Sequence, residues 1–359
     1  MVGQTMTAWW QELGELGEDP VRTRQGAVAA CSVMLATTLA LLLHLESPWW
    51  AAISGFMSLM STGAGSLRRG LLRMVGTIAG AVLAFVMARW LPYDHFALLL
   101  FLAGTTMLGV IAMQVSPHGL AWLFLSITSS LVLLMSLDDP QQAYRVACYR
   151  TLEVAVGVAS AIIVANLLED WHADPPPVAP GWHHLLEGQW PAVLHGARAA
   201  ISVVVVLISW LMLDLPQVTG MAITVAVVMS APVPPGAGSL DTRHGVALRA
   251  IHRFVGCLLG GVAALVCLSL DVTAFPLWLG MIGAMVWVGM HVQAGKRGVS
   301  YVGTQAAFVL IVTMIQGSAP PTSIIPAIDR FIGISGGLAI LLVVSLLVWP
   351  TEAEQAEAR

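Results

Sequence analysis

Four arginines are the residues of this sequence best suited to chemistry, because each lies inside or at the edge of a long apolar stretch. They form two pairs whose members stand 180 positions apart, Arg73 with Arg253 and Arg150 with Arg330. A guanidinium in such surroundings is costly unless it pairs, reaches water or binds an anion. The pattern therefore predicts a binding site for a negatively charged substrate, and we expect Gln305 to contribute to it. Charge anchoring or local ion pairing is the alternative.

Glu153 is the carboxylate placed deepest in an apolar stretch, one helical turn after Arg150. A partly dehydrated carboxylate can exchange protons near neutral pH. We therefore expect Glu153 to couple substrate movement to protons. The competing interpretation is an ion pair with Arg150 that lowers the cost of burying both charges.

The sequence lacks the motifs of the common enzyme classes. It has no phosphate-binding loop, no nucleophile–base arrangement and no zinc-ligand spacing. We therefore expect no catalytic residue, no metal and no cofactor. The basic residues are scattered at the edges of apolar stretches, which does not favour nucleic acid as a partner.

The composition places these residues in a lipid bilayer. The chain is 57% hydrophobic and 10% charged, whereas a soluble domain carries about a quarter charged residues. Its apolar runs are long enough to cross about 30 Å of hydrocarbon. We predict an all-α polytopic membrane protein with twelve transmembrane helices at 27–45, 49–66, 70–91, 96–115, 119–137, 146–168, 196–213, 217–235, 246–270, 274–294, 299–317 and 327–349. The second, fifth, eighth and eleventh are rich in Ser, Thr, Gly or Pro, so we expect them to be less exposed to lipid.

An internal repeat relates the two halves of the chain. Arg73-Met-Val-Gly76-Thr-Ile-Ala-Gly80 returns 180 positions later as Arg253-Phe-Val-Gly256-Cys-Leu-Leu-Gly260. Paired glycines one helical turn apart allow a second helix to approach closely, so these four are predicted helix-packing residues. Each copy holds six spans, an even number, so both copies enter the membrane in the same direction. This predicts two parallel six-helix repeats related by a pseudo-twofold axis along the membrane normal.

The repeat also predicts the domain organisation. A cytoplasmic N-terminal segment precedes the first six-helix repeat, and a Pro-rich cytoplasmic linker separates it from the second, which ends in a cytoplasmic tail. Their predicted boundaries are 1–21, 22–168, 169–195, 196–350 and 351–359. Within the first segment, Trp9 and Leu13 share one helical face and carboxylates take the other, as in an interfacial helix.

The distribution of positive charge indicates the orientation. With the N-terminus in the cytoplasm, twelve Lys and Arg residues fall on the cytoplasmic side and four on the outer side. Cytoplasmic loops of membrane proteins carry this excess. We therefore expect both termini to be cytoplasmic.

These features together resemble the fusaric-acid-resistance and aromatic-acid-exporter family of bacterial inner-membrane proteins. The motifs that carry the resemblance are Pro48-Trp-Trp, the Gly63–Gly65 turn, Arg73-xx-Gly-Thr-xx-Gly-Ala81, Arg150-xx-Glu-xxx-Gly157, Arg330-xx-Gly333 and Trp349-Pro350. The resemblance implies efflux of aromatic or hydrophobic carboxylic acids driven by the proton gradient. Some family members work with a periplasmic adaptor protein, which adds such an adaptor to the candidate partners.

The six-span unit is also similar to that of plant aluminium-activated malate transporters, which are dimeric anion channels. A passive organic-anion channel and a non-transport scaffold or accessory subunit therefore stay as alternatives to the exporter, and a homo-oligomer stays open. Larger members of the exporter family carry a soluble domain after each six-span unit. Here a short linker and a short acidic tail stand in those places.

Overall fold

The chain is all-helical wherever a computed structural model describes it, which is over residues 1–59, 63–168, 181–185, 190–231, 239–317, 320–321 and 323–348. Within these residues there are thirteen α-helices and no strand. They are α1 (Val2–Gly14), α2 (Pro20–Leu42), α3 (Pro48–Ser58), α4 (Gly63–Met87), α5 (His95–Val115), α6 (Gly119–Met135), α7 (Ala143–Leu168), α8 (Trp190–Leu213), α9 (Val218–Met229), α10 (Ser239–Ser269), α11 (Phe275–Gln293), α12 (Ser300–Met314) and α13 (Ile325–Val348). The predicted tail, Trp349-Pro350 and most of the predicted linker lie outside the described residues.

Capping residues explain where several helices begin. Helix α2 opens with Pro20, whose missing N–H is not needed in a first turn. The side chain of Asp19 accepts hydrogen bonds from the amides of Val21 and Arg22 at 2.8 and 3.3 Å, which satisfies donors that the helix itself leaves unpaired. Asp94 caps α5 in the same way.

Eight helices are long and apolar enough to cross a membrane: α2, α4, α5, α7, α8, α10, α11 and α13. This confirms the predicted class of a multi-pass helical membrane protein. Four of these helices, α2, α4, α8 and α10, begin six or seven residues earlier than the sequence predicts. Helix α4 begins at Gly63 rather than at residue 70, so Arg73 lies about 15 Å along it instead of near its first turn.

The remaining predicted spans correspond to short helices. Helices α3, α6, α9 and α12 have 11, 17, 12 and 15 residues. At 1.5 Å per residue, α3 is about 16 Å long, roughly half the thickness of the hydrocarbon core. Most residues of all four are buried. Because protein rather than lipid surrounds them, their ends need not match the membrane thickness.

Contacts divide the chain into two compact units. The first unit comprises Met1–Met74, Tyr149–Pro175 and Ile251–Phe331. In this unit α2 packs against α3 and α11, α11 packs against α12, and α12 also contacts α3. The N-terminal helix α1 packs against α11.

The second unit repeats this contact pattern with the two copies exchanged. It comprises Val75–Cys148, Pro176–Ala250 and Ile332–Arg359. Here α8 packs against α9 and α5, α5 packs against α6, and α6 contacts α9. Each unit therefore combines the first two helices of one predicted repeat with the fourth and fifth helices of the other.

Candidate functional site

The candidate site lies in the first unit, where α7 packs closely on α3. The contact is possible because Gly157 of α7 has no side chain: an added Cβ would collide with the carbonyl oxygen of Ala51 and lie 2.5 Å from the side chain of Ser54. Small residues allow two helix backbones to approach in this way. The close approach brings Glu153 and Arg150, one and two helical turns before Gly157, next to the beginning of α3.

Arg150 is the first of these residues, and its side chain stacks on a tryptophan. Its guanidinium carbon lies 3.2 Å from the centre of the Trp50 ring, well inside the range of a cation–π contact. The residue is 2% exposed, and its Nε and Nη1 atoms are buried without a hydrogen-bond partner in the described chain. Leaving such donors unpaired is costly, so Arg150 is prepared to bind an acceptor.

A second arginine lies beyond the stacked tryptophans. The rings of Trp49 and Trp50 are stacked with their centres 4.0 Å apart. The guanidinium carbon of Arg330, on α13, lies 5.9 Å from the centre of the Trp49 ring. The indole pair is therefore flanked by Arg150 from the first predicted repeat and Arg330 from the second. We call these four residues the Arg–Trp cluster.

Glu153 is held by the backbone at the beginning of α3. Its Oε1 atom accepts a hydrogen bond from the Ser47 amide at 2.8 Å, and the residue is 2% exposed. Ser47 directly precedes Pro48, the first residue of the helix, and the N-terminal end of a helix favours negative charge. Arg150 and the exposed Glu46 interact with Glu153 electrostatically.

The arginines predicted as two separate pairs interact with one another. Arg150 experiences electrostatic repulsion from Arg73 and Arg330, and Arg330 experiences it from Arg253. Glu153 is the carboxylate that offsets part of the charge at Arg150. The first unit thus carries a local excess of positive charge in surroundings where water is scarce, and such a field attracts anions.

Arg73 and Arg253 have different neighbours. Arg73 is 2% exposed, and its Nη1 atom lies 2.7 Å from Sδ of Met57. The Nη1 atom of Arg253 donates to the side-chain oxygen of Gln305 at 2.9 Å and lies 3.2 Å from the hydroxyl oxygen of Tyr301. Gln305 is 2% exposed, and its Nε2 is a further buried donor without a partner in the described chain.

The glycines of the repeated motif lie at close helix contacts in both units. In the second unit, a Cβ on Gly76 would collide with the carbonyl oxygen of Ala121, and one on Gly80 would lie 2.5 Å from that of Leu125. In the first unit, a Cβ on Gly256 would lie 2.6 Å from the carbonyl oxygen of Val302, and one on Gly260 would collide with that of Ala306. The pairs α4–α6 and α10–α12 therefore pack in equivalent ways.

A second group of charges, on the N-terminal helix, was not foreseen as a cluster. Glu12 of α1 is fully buried, forms an ion pair with Arg22, and accepts a hydrogen bond from the Arg297 amide at 2.9 Å. Arg22 also donates to the carbonyl oxygen of His291 at 2.8 Å. Glu15 forms an ion pair with the Arg297 side chain. Glu12, a carboxylate expected on the solvent face of α1, is thus buried where the helix contacts Arg22 and Arg297.

Comparison with known proteins supports the expected resemblance. Residues 35–164 match the family described as fusaric acid resistance protein-like. This stretch is similar to that family, and it contains Trp50, Arg73, Arg150 and Glu153. The family resemblance predicted from the motifs is therefore confirmed over this stretch.

A protein of Gluconobacter oxydans (strain 621H), named as an uncharacterized transporter, is 24% identical over 161 residues. The alignment covers 42% of this chain and 22% of that relative, so the chain spans only about a fifth of the relative's length. No solved structure matches the chain.

Proposed function

We propose that this protein exports small aromatic or hydrophobic organic acids across the inner membrane of a bacterium, and that protons drive the export. The observation that carries the proposal is Arg150, a buried guanidinium stacked on Trp50 with two N–H groups that lack a partner in the described chain. A carboxylate has acceptors and no donors when it is ionised, so it complements these groups.

A transport role rests on three supports. The match to the fusaric acid resistance protein-like family covers residues 35–164. The relative from Gluconobacter oxydans is named as a transporter. Eight helices are long and apolar enough to cross a membrane. The substrate class goes beyond these supports and rests on the Arg–Trp cluster.

The cluster favours an anion with an apolar or aromatic body. The indole rings of Trp49 and Trp50 provide a large flat apolar surface, and aromatic rings pack well against such surfaces. The arginines around them provide positive charge. This charge compensates the negative charge of an organic acid when the acid leaves water. A neutral aromatic molecule gains only the first of these contributions, so we expect the negatively charged form to bind.

Glu153 supplies the means of coupling. When it is ionised, its charge partly satisfies Arg150 and competes with an incoming carboxylate. When it is protonated, that competition is removed and the arginine is available to the substrate. Protonation of Glu153 and binding of the anion at Arg150 are therefore linked, and this linkage is the coupling that we propose.

The architecture we propose is two parallel six-helix repeats with twelve membrane-embedded helices and both termini in the cytoplasm. The exchanged contact pattern of the two units and the matching glycine contacts support the repeat. The excess of Lys and Arg on one side supports the orientation. Reporter fusions at either terminus test it, and a terminus found outside the cytoplasm contradicts it.

The direct test is transport by the purified protein in liposomes with an acidic lumen. Labelled phthalate is a suitable probe because it carries two charges at neutral pH and leaks slowly, and benzoate serves as the singly charged probe. We expect accumulation in the lumen and its loss in Arg150→Gln, a substitution that keeps a polar side chain. Arg145→Gln, on the same helix, is the control. Uptake of neither acid above that of protein-free liposomes rejects the proposal.

Coupling is tested with Glu153→Gln, which keeps an oxygen to accept the Ser47 amide. We expect this variant to exchange external for internal phthalate but to ignore the pH gradient. If wild-type flux follows the phthalate gradient alone and is unaffected by a pH difference, the protein is a passive anion channel and the coupling role of Glu153 is rejected.

A further inference from the structure

The arginines related by the repeat have unlike surroundings, although their positions in the sequence are equivalent. Arg253 is held by Gln305 and Tyr301 of α12. The residues 180 positions earlier than these two are Leu125 and Ala121, neither of which has a polar side chain. The polar attachment of Arg253 therefore belongs to the second copy only.

The first copy also has a carboxylate and a pair of tryptophans that the second copy does not have at the equivalent positions. The position that matches Glu153 is Gly333, and an added Cβ there would lie 3.3 Å from the side chain of Gln217 and 3.4 Å from Gly220. The first copy places two tryptophans directly after Pro48, whereas Gln217 and Val218 follow the corresponding Pro216. The second copy therefore lacks both the carboxylate and the aromatic pair.

We propose that the chain binds one anion, not two, and that the two copies have different tasks: Arg150 contacts the anion, whereas Arg253 is a fixed positive charge positioned by Gln305 and Tyr301. This inference rests on the proposed function and adds to it the number of sites and the role of each arginine.

The geometry of the guanidinium explains why Arg150 is the binding residue. Stacking on Trp50 uses the face of the planar group, while its N–H donors lie along the edge. The edge carries the N–H donors whose hydrogen bonds a carboxylate can accept. Its Nε and Nη1 atoms have no other partner in the described chain, so binding an anion satisfies donors that are otherwise buried and unpaired.

Arg253 differs from Arg150 because other side chains of the protein hold one of its nitrogen atoms. Its Nη1 atom is already engaged by Gln305 at 2.9 Å and approached by Tyr301 at 3.2 Å. Turning toward an anion would break these hydrogen bonds and leave buried groups behind, which is unfavourable. Its charge still acts on the site, because Arg253 interacts electrostatically with Arg330 of the Arg–Trp cluster. Gln305 is then a positioning residue that acts through Arg253.

Isothermal titration of the wild-type protein in lipid nanodiscs with benzoate gives the first test, and benzamide is the neutral control. We expect one benzoate per chain and no heat from benzamide. Two benzoates per chain overturn the inference, and this outcome requires no variant to fold. Absence of benzoate binding to the wild type rejects the proposed function instead.

Matched lysine substitutions give the second test, since lysine keeps the charge but cannot stack or bind through a planar fork. We expect Arg150→Lys to weaken benzoate binding by about 10- to 100-fold, as for loss of hydrogen bonds to a charged group. Arg253→Lys should change it by less than about threefold because the charge stays. Equal losses in the two variants overturn the assignment.

The role of Gln305 is tested by transport kinetics in the same liposomes, with phthalate. Gln305→Leu releases Arg253, so we expect a change in the dependence of KM on ionic strength. Gln305→Asn retains the amide and should restore part of the wild-type behaviour. A Gln305→Leu variant whose KM and salt dependence equal those of the wild type contradicts a positioning role.

Discussion

The guanidinium carbon of Arg150 lies 3.2 Å from the centre of the Trp50 ring, and the two residues are separated by a hundred positions in the sequence. The contact depends on the close approach of α7 to α3 at Gly157. A helix interface made of small residues thus determines whether an arginine far along the chain meets the aromatic pair. The packing of α7 on α3 is therefore linked to the proposed binding of an anion by Arg150.

Replacing Trp50 by leucine tests this link. The substitution keeps an apolar side chain but removes the ring that faces the cation, so we expect the free energy of unfolding to fall by about 1–2 kcal/mol and the KM for phthalate to rise. Trp50→Phe should be intermediate, because tryptophan is the strongest of the aromatic partners. Trp10, which is exposed on α1, provides the control variant Trp10→Leu. Equal effects of the two leucine variants would contradict the prediction.

The repeated glycines predict a second set of effects, on stability. Gly76→Ala and Gly260→Ala place a methyl group against a carbonyl oxygen of the neighbouring helix. We expect each to cost about 1–3 kcal/mol, as overpacking does, and to lower the melting temperature followed by tryptophan fluorescence. Gly104→Ala is the matched control, since an added Cβ there meets nothing within 4 Å. The melting temperature of Gly104→Ala should equal or exceed that of the wild type, because alanine favours a helix more than glycine does.

Because Glu12 of α1 is a buried carboxylate, we expect its replacement by glutamine to destabilise the attachment of α1 strongly. Glu12→Gln removes the buried charge that faces Arg22 and leaves this guanidinium with the longer ion pair to the more exposed Glu15, at 3.5 Å. Loss of one partner from a buried ion pair costs about 3–5 kcal/mol. We expect protease cleavage near α1 to become rapid in this variant. Glu18→Gln, at an exposed position of the same acidic segment, should leave the cleavage rate unchanged.

Acid should loosen α1 through Glu15. The hydrogen bond from Arg297 holds the pKa of Glu15 below its ordinary value of 4.5. The carboxylate therefore binds its proton less tightly in the folded state than in the unfolded state. Its contribution is complete above the unfolded pKa and is lost as the pH falls through the folded value. The protection factors of the α1 amides in hydrogen exchange should fall below about pH 4.5 in the wild type, and Glu15→Gln should show less of this acid response.

The sequence predicts the helical class and the membrane character because both depend on long apolar runs, which are local properties. It does not predict where the short helices end. The run from 49 to 66 is apolar, yet α3 ends at Ser58, where the amide of Leu59 bonds back to Phe56 and closes the last turn. Hydropathy measures the side chains, whereas the end of a helix depends on the backbone hydrogen bonds.

The candidate site divides in a similar way. Arg150, Glu153 and Gly157 are spaced along one helix, so their common face follows from the sequence. Their partners Ser47 and Trp50 lie on another helix, and periodicity does not identify a partner. The Pro48-Trp-Trp motif was a signal, since a proline followed by two aromatic residues marks the beginning of an apolar helix.

Glu12 shows a limit of amphipathic patterns. A carboxylate is normally assigned to the wet face, because burying it alone is prohibitive. Glu12 lies three residues after the buried Trp9, which places the two on neighbouring parts of the helix surface. Its burial depends on cations that the helix does not contain, Arg22 and Arg297.

The partnership of α1 with Arg297 and of α2 with α11 has a consequence for biogenesis. Arg22 of α2 donates to the carbonyl oxygen of His291 of α11, and these two residues are 269 positions apart. The ribosome releases the N-terminal helices long before their partners exist, so α2 must wait in the bilayer with an unfinished surface while most of the chain is made. Premature termination anywhere before residue 297 would therefore leave the earliest part of the protein unassembled and open to quality-control proteases.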